Sequence, residues 1–248
     1  MADSIVSLGI NADGIGLLRM HDERNRNSLS VTMAEALSRQ LAAIAASESI
    51  KVVVIAGLPE YFCTGASEEV LADLVEHRIA PQDLVLPRWI LDLPVPSIAA
   101  MEGHALGGGL ALGMCADMIV AAEESRYGCT FMNMGFTPGM GTTRLLEHAI
   151  SPAVAEEMLF TGKTFRGSEL QGKCGLNYVL PRRDVLAKAL ALAAAVADKP
   201  RLALTLLKQS LSRSRKEIYG AALEEETRMH RRSLEQPGTR ERIRNHFA

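Results

Sequence analysis

Three consecutive glycines lie within Gly103-His104-Ala105-Leu106-Gly107-Gly108-Gly109-Leu110-Ala111, between an apolar run and a helix-forming one. Pro96-Ser97-Ile98-Ala99-Ala100-Met101 reads as a strand leading in, and Leu110 to Asp117 as a helix leading out. Glycine lets the backbone pass close to a ligand, and the first N–H groups of a helix have no internal acceptor. Those donors can hold a developing negative charge. Upstream, Val52-Val53-Val54-Ile55-Ala56-Gly57 reads as a buried strand ending near Tyr61-Phe62-Cys63-Thr64-Gly65-Ala66-Ser67, where Ser67 can cap a helix opening with Glu68 and Glu69. Two N–H groups converging from separate strand ends are the form taken by a site that polarises a carbonyl. Two plainer readings compete. A glycine turn before a helix can bind phosphate, although no Lys-Ser/Thr follows and the spacing is not a dinucleotide fingerprint; it can also serve helix–strand packing alone.

Phe62-Cys63-Thr64-Gly65-Ala66, then Gly103 to Gly109, then Gly135-Phe136-Thr137-Pro138-Gly139-Met140-Gly141-Thr142-Thr143, together resemble the crotonase superfamily, in its order and over nearly the whole chain. The resemblance implies that the oxyanion donors are the N–H groups of Ala66 and Gly108. Gly65 and Gly107, the turn glycines beside them, are then expected at the substrate. His104 could contact ligand there, but a histidine at a strand end is more often hydrogen-bonded structure.

The departures from the family are informative. Where family hydratases place one glutamate three residues after the middle glycine, this chain has Ala111, and where they place the second it has Phe131, which is expected to line the substrate pocket instead. Hydration needs groups that activate water and protonate carbon, and neither side chain can do either. What remains suits a reaction limited by enolate stabilisation. Loss of CO2 from a carbon conjugated to a thioester is one, since the electron pair then rests on the thioester oxygen.

The chain most resembles the decarboxylating crotonase of polyketide β-branching cassettes. That likeness implies a 3-methylglutaconyl-type thioester on an acyl carrier protein, a 3-methylcrotonyl-type product, no cofactor beyond the phosphopantetheine or CoA that carries the substrate, and a catalytic histidine near the end, here His230. Tyr219, Leu223, Glu226 and His230 share one face of a helix over Lys216 to Leu234, so His230 can enter a pocket with Glu226 one turn earlier holding its ring. A surface histidine flanked by Arg228, Arg231 and Arg232 is the alternative. The subgroup's carboxylate-binding lysine is missing, for there is no lysine between Lys51 and Lys163. Arg78, at the end of a helix whose apolar stripe includes Leu71 and Leu74, is the nearest counterpart, with His77 a weaker candidate and a solvated helix-end cation the plain reading. An enoyl thioester isomerase or hydratase of the same superfamily, or a non-catalytic acyl-thioester-binding member, is the alternative function.

Composition sets the outer bounds. With a net charge of −2 over 248 residues the chain has no broad basic field for nucleic acid, and no apolar run is long enough to cross a membrane. The start lacks the basic and apolar regions of a secretory signal, and Cys63, Cys115, Cys129 and Cys174 show no metal-ligand pairing, so a cytoplasmic, metal-free protein with buried thiols is expected. Met132, Met134 and Met140 fall around the third motif, where they line an adaptable acyl pocket or fill ordinary core. Arg182-Arg183, Arg213-Ser214-Arg215-Lys216 and Arg228 to Arg232 could meet an acidic carrier protein or the phosphates of CoA, or be solvated faces.

The expected fold is α/β. Strands at Ile5 to Leu8, Ile15 to Met20, Val52 to Ala56, Ser97 to Met101 and Met118 to Ala122 alternate with helices at Val31 to Ala46, Glu68 to Arg78, Leu110 to Asp117 and Thr142 to Ala149. The resemblance implies a spiral of strand-strand-helix turns over residues 1–184. Helices at Val185 to Ala197, Arg201 to Arg213 and Lys216 to Leu234 then make residues 185–248 a C-terminal helical region, which in crotonases packs on neighbouring subunits of a trimer or hexamer.

Overall fold

The computed structural model describes residues 5–84 and 86–247. Strands β1 (Val6–Ile10) and β2 (Ile15–Met20) form an antiparallel hairpin, followed by α1 (Val31–Ala46), whose start Ser30 caps by accepting from the Met33 N–H. Three passages of one pattern come next. The first is β3 (Val52–Ala56), β4 (Tyr61–Cys63) and α2 (Glu68–Val75), with α3 (Leu86–Leu91) appended. The second is β5 (Ser97–Met101), β6 (His104–Leu106) and α4 (Gly108–Met114); the third is β7 (Met118–Ala122), β8 (Arg126–Gly128), a 3-10 turn at Phe131–Met134 and α5 (Thr142–Ala149). The chain closes with α6 (Pro152–Thr161), β9 (Thr164–Arg166), α7 (Gly167–Leu170), β10 (Tyr178–Leu180), α8 (Arg182–Ala197), α9 (Arg201–Leu234) and α10 (Thr239–Phe247).

Each repeated turn gives one strand to a six-stranded sheet, ordered β1-β2-β3-β5-β7-β10, and one to a four-stranded sheet, ordered β4-β6-β8-β9. The spiral of strand-strand-helix turns is present. Pairing is parallel except between β1 and β2 and between β8 and β9. Alternation along the large sheet sorts its side chains: Val53, Ile55, Ala99 and Met101 enter the main core, while Val54, Ile98, Ala100 and Val120 face Ala189 and Ala193 of α8. Alanines one turn apart let α8 lie close on that face.

Several boundaries differ from the sequence expectation. Helix α2 stops at Val75 rather than running through Arg78, because His77 adopts a left-handed φ of 56° and the Arg78 N–H returns to the Asp73 carbonyl at 2.8 Å. The two expected terminal helices are one, α9, in which Lys208 before the expected break and Arg215 within it both pair with Asp117. The three-residue strands and α10 are additional elements. A three-residue strand shows too little alternation to be read before its partner is known.

Candidate active site

The two glycine turns meet because successive turns of the spiral stack. Gly65 has φ +87°, and a Cβ there would lie 2.8 Å from the Leu106 carbonyl oxygen and 3.4 Å from the Gly108 nitrogen. The first turn is held from below by the Asn27 amide, which donates to the carbonyls of Met20, Tyr61 and Phe62 at 3.1–3.2 Å, and by the Leu29 N–H, which donates to Gly65 at 2.7 Å. In the second turn each glycine has its own reason. Gly107 needs its φ of 52°, a Cβ on Gly108 would meet the Met140 sulfur at 2.6 Å, and one on Gly109 would overlap the Cys63 carbonyl. Among the described residues, neither the Ala66 N–H nor the Gly108 N–H has an acceptor, and both residues line one recess. Two unpaired amides at one apolar recess can hold an oxygen that gains negative charge.

That recess is small and greasy. Its volume is about 20 Å³, its walls include Phe131, Phe136 and Leu74, and none of its lining residues is a lysine or arginine. Phe131, standing where a hydratase has its acid, meets Phe136 edge to face at 5.9 Å, and Phe136 meets the His230 ring at 5.3 Å. Ala111 is buried in α4. A cavity of about 460 Å³ adjoins the recess and shares Ala66, Leu84 and Met140 with it.

His230 is buried, at 3 % exposure, on the α9 face that also carries Tyr219, Ala222 and Glu226. Its Nδ1 has no hydrogen-bond partner. Burial pulls its pKa down to about 4, against a smaller opposing pull from the Pro138 backbone, so the imidazole is neutral at neutral pH. Gly139 makes room for it, since a Cβ there would lie 2.6 Å from the imidazole Cε1. One turn on, Ser233 Oγ accepts from the Thr137 N–H at 3.1 Å, tying the Thr137-Pro138-Gly139 segment to the helix that bears the histidine.

Glu226 lines the recess but does not hold the histidine ring as expected. Its carboxylate accepts from the Gly141 N–H at 2.6 Å, the Thr143 N–H at 2.8 Å and the Thr143 hydroxyl at 2.7 Å. It caps the start of α5. Burial raises its pKa against the opposing pull of those bonds. Nothing in the sequence joins Glu226 to Gly141 and Thr143; only the packing of α9 on α5 does.

Two further expectations are corrected. Arg78 lies beyond the end of α2, half exposed and paired with Asp73 and Glu76, and lines neither the recess nor the adjoining cavity. His77 is exposed beside it. His104 is turned away from the recess as well: its Nδ1 accepts from the Arg126 N–H at 2.9 Å and its ring meets Tyr61 edge on, the plainer of its two readings. Gly65 and Gly107 shape the backbone at the recess. Among the described residues no three His, Cys, Asp or Glu side chains are grouped to hold a metal ion, and no helix is long and apolar enough to cross a membrane. Burial pushes the Cys63 and Cys115 thiols up to about 12, which leaves them unreactive.

The family model for enoyl-CoA hydratase/isomerase matches residues 11–246. The bacillaene synthase decarboxylase PksI of Bacillus subtilis (strain 168) is 33% identical over 245 residues, 98% of each chain. Among solved structures, the ECH2 decarboxylase domain of CurF from Lyngbya majuscula superposes with a TM-score of 0.93 at 37% identity, covering 99% of this chain and 100% of that one. A structure from a dehydratase/decarboxylase enzyme couple involved in polyketide β-branching gives 0.93 at 32% identity, over 97% of this chain and 98% of that one.

Proposed function

Because this chain belongs to the enoyl-CoA hydratase/isomerase family, we propose that it is a decarboxylase of polyketide β-branching, acting on a 3-methylglutaconyl-type thioester carried by an acyl carrier protein and giving a 3-methylcrotonyl-type product. The observation that carries this reading is the site itself: two acceptor-less amides and a buried histidine flank one apolar recess whose only carboxylate, Glu226, is already committed to three donors. Its similarity to two decarboxylases and to a structure from a dehydratase/decarboxylase couple of polyketide β-branching agrees.

The thioester oxygen sits between the Ala66 and Gly108 N–H groups. The bond from the γ-carbon to the carboxylate breaks, its electron pair passes through the conjugated system to the thioester oxygen, and CO2 leaves. Each amide donor is worth about 10²–10³ in rate at such an oxyanion. In the free protein His230 is neutral, but the substrate carboxylate brings the negative charge that an imidazolium needs, so binding takes up one proton from solvent. His230 returns that proton to the carbon that lost CO2 and ends neutral. With no lysine or arginine in the recess, the His230 imidazolium is the cation that faces the carboxylate there, and its charge is given up with the proton it returns to carbon.

An acidic carrier protein fits the arginines of α9 and α10 by charge. The exposed leucines Leu202, Leu206, Leu207 and Leu211 support a trimer or hexamer that covers them, and four free thiols suit a reducing compartment. The reaction is tested by following CO2 release from 3-methylglutaconyl thioester on a carrier protein. Stoichiometric CO2 and 3-methylcrotonyl thioester are expected; migration of the double bond in uncarboxylated enoyl thioesters, with no CO2 from the carboxylated one, would identify an isomerase instead.

A further inference from the structure

The two amides at the recess belong to different turns of the spiral, and the segment between β2 and α1 touches both of those turns. Its Leu29 N–H donates to the Gly65 carbonyl at 2.7 Å, and Leu29 pairs with Ala66 in a parallel bridge. The Leu29 side chain meets the other turn, where a Cβ on Gly108 would lie 3.1 Å from Leu29 Cδ1. Asn27 anchors this segment. We infer that Asn27 is a positioning residue of the reaction, which fixes the spacing of the Ala66 and Gly108 N–H groups through β4 and Leu29. This role presupposes that the two amides hold the thioester oxygen, as proposed above.

Strand β4 carries one residue more than its partner at this point. Tyr61 pairs with His104 and Cys63 with Ala105, so Phe62 is a bulge in a parallel ladder. A bulge bends its strand, re-aims the residues that follow and takes backbone groups out of the ladder. The residues that follow are Cys63 to Ala66. Asn27, whose side chain is wholly buried, donates to the Tyr61 and Phe62 carbonyls at 3.2 and 3.1 Å, and also to Met20 at 3.2 Å. Its Oδ1 accepts from the Asp22 N–H at 2.8 Å. Arg26 and Asn27 are both left-handed, with φ of 52° and 53°, a conformation that asparagine adopts more readily than most residues. The Thr64 hydroxyl adds a further tie, donating to the Arg26 carbonyl at 3.2 Å. Without the Asn27 amide the bulge loses its buried donor and can relax, and displacing a catalytic group by about 1 Å costs on the order of a hundredfold in rate.

Asn27→Asp keeps the size of the side chain and the acceptor for Asp22 but removes the N–H donors that reach β4. In that variant kcat for CO2 release from the 3-methylglutaconyl thioester should fall about a hundredfold, with KM changing less than about threefold, since the amides grip the oxygen hardest when it is charged. The same displacement can be read without turnover. Bound 3-methylcrotonyl-pantetheine labelled with 13C at the thioester carbonyl should show its infrared stretch lowered by the two donors in the unaltered protein, and returned towards its value in water in the variant. A loss of stability alone would leave that band in place below the unfolding temperature. Should Asn27→Asp fail to fold, Thr64→Val removes only the tie to Arg26 and should move the band in the same direction, with about a three- to tenfold fall in kcat. An unshifted band and unchanged kcat in the folded variants, with CO2 still released by the unaltered protein, overturn the role of Asn27 and leave the reaction standing. A band that moves as expected, with no CO2 from the unaltered protein, overturns the reaction and leaves Asn27 as assigned.

Discussion

Glu226 and His230 stand one helical turn apart on the buried face of α9, yet the carboxylate binds Gly141 and Thr143 and leaves the imidazole Nδ1 without a partner. The acid therefore builds the wall and the histidine keeps its proton capacity for the substrate. Glu226→Gln must turn an amide NH2 towards backbone donors. A loss of about 1–3 kcal/mol in stability is expected from the unsatisfied group, read by thermal or urea unfolding.

His230→Ala should slow CO2 release by about 10²–10⁴ while thermal unfolding stays cooperative, as removal of a positioned proton donor does. If the proton arrives with the substrate, kcat/KM of the unaltered protein should also fall as pH rises above His230's free-protein value of about 4. Proton uptake on binding can be counted by calorimetry in buffers of different ionisation enthalpy. A pH-independent kcat/KM between pH 5 and 8 would remove His230 from the proton path.

The same burial makes a stability statement. An unfolded histidine titrates near 6.5 and the folded one at about 4, so the unfolded chain binds the proton first as pH drops. The contribution is whole above pH 6.5 and is lost progressively down to about pH 4, on the order of 3 kcal/mol in all. His230→Leu should flatten the unfolding curve across that interval, measured by urea midpoints at each pH.

At Gly139, substitution by alanine should act through the histidine, since a Cβ 2.6 Å from Cε1 must displace the ring. About 1–3 kcal/mol of stability and most of the turnover should be lost together. Gly65→Ala strains a φ of +87° beside the Gly108 nitrogen, and about a hundredfold loss in kcat is expected if one amide donor moves out of line.

Arg78→Gln is expected to change turnover by no more than about twofold, because an exposed guanidinium held by Asp73 and Glu76 contributes little. A tenfold or larger rise in KM would show that the residue swings into the site.

Much of this was legible in the chain because the oxyanion turns are local: strand, glycines and helix are contiguous, so Gly65-Ala66 and Gly107-Gly108-Gly109 declare themselves by type and order. The face of α9 was legible too, from the helical spacing of Tyr219, Glu226 and His230. The place of Arg78 is not legible, because the end of α2 is set by a left-handed histidine, a conformation no composition announces. The partner of Glu226 was hidden for another reason. Gly141 and Thr143 lie more than eighty residues away, and only tertiary packing brings an acceptor on one helix to the start of another.

Helix α9 runs unbroken from Arg201 to Leu234, and Lys208 and Arg215 pin it to Asp117. Arg215 and His230 are separated by fifteen residues of continuous helix, about 22 Å of rod. Sliding that rod by one turn would tear two cations from their counter-ion, so the depth at which the imidazole sits is gauged from afar, by a charge lock that never meets the thioester.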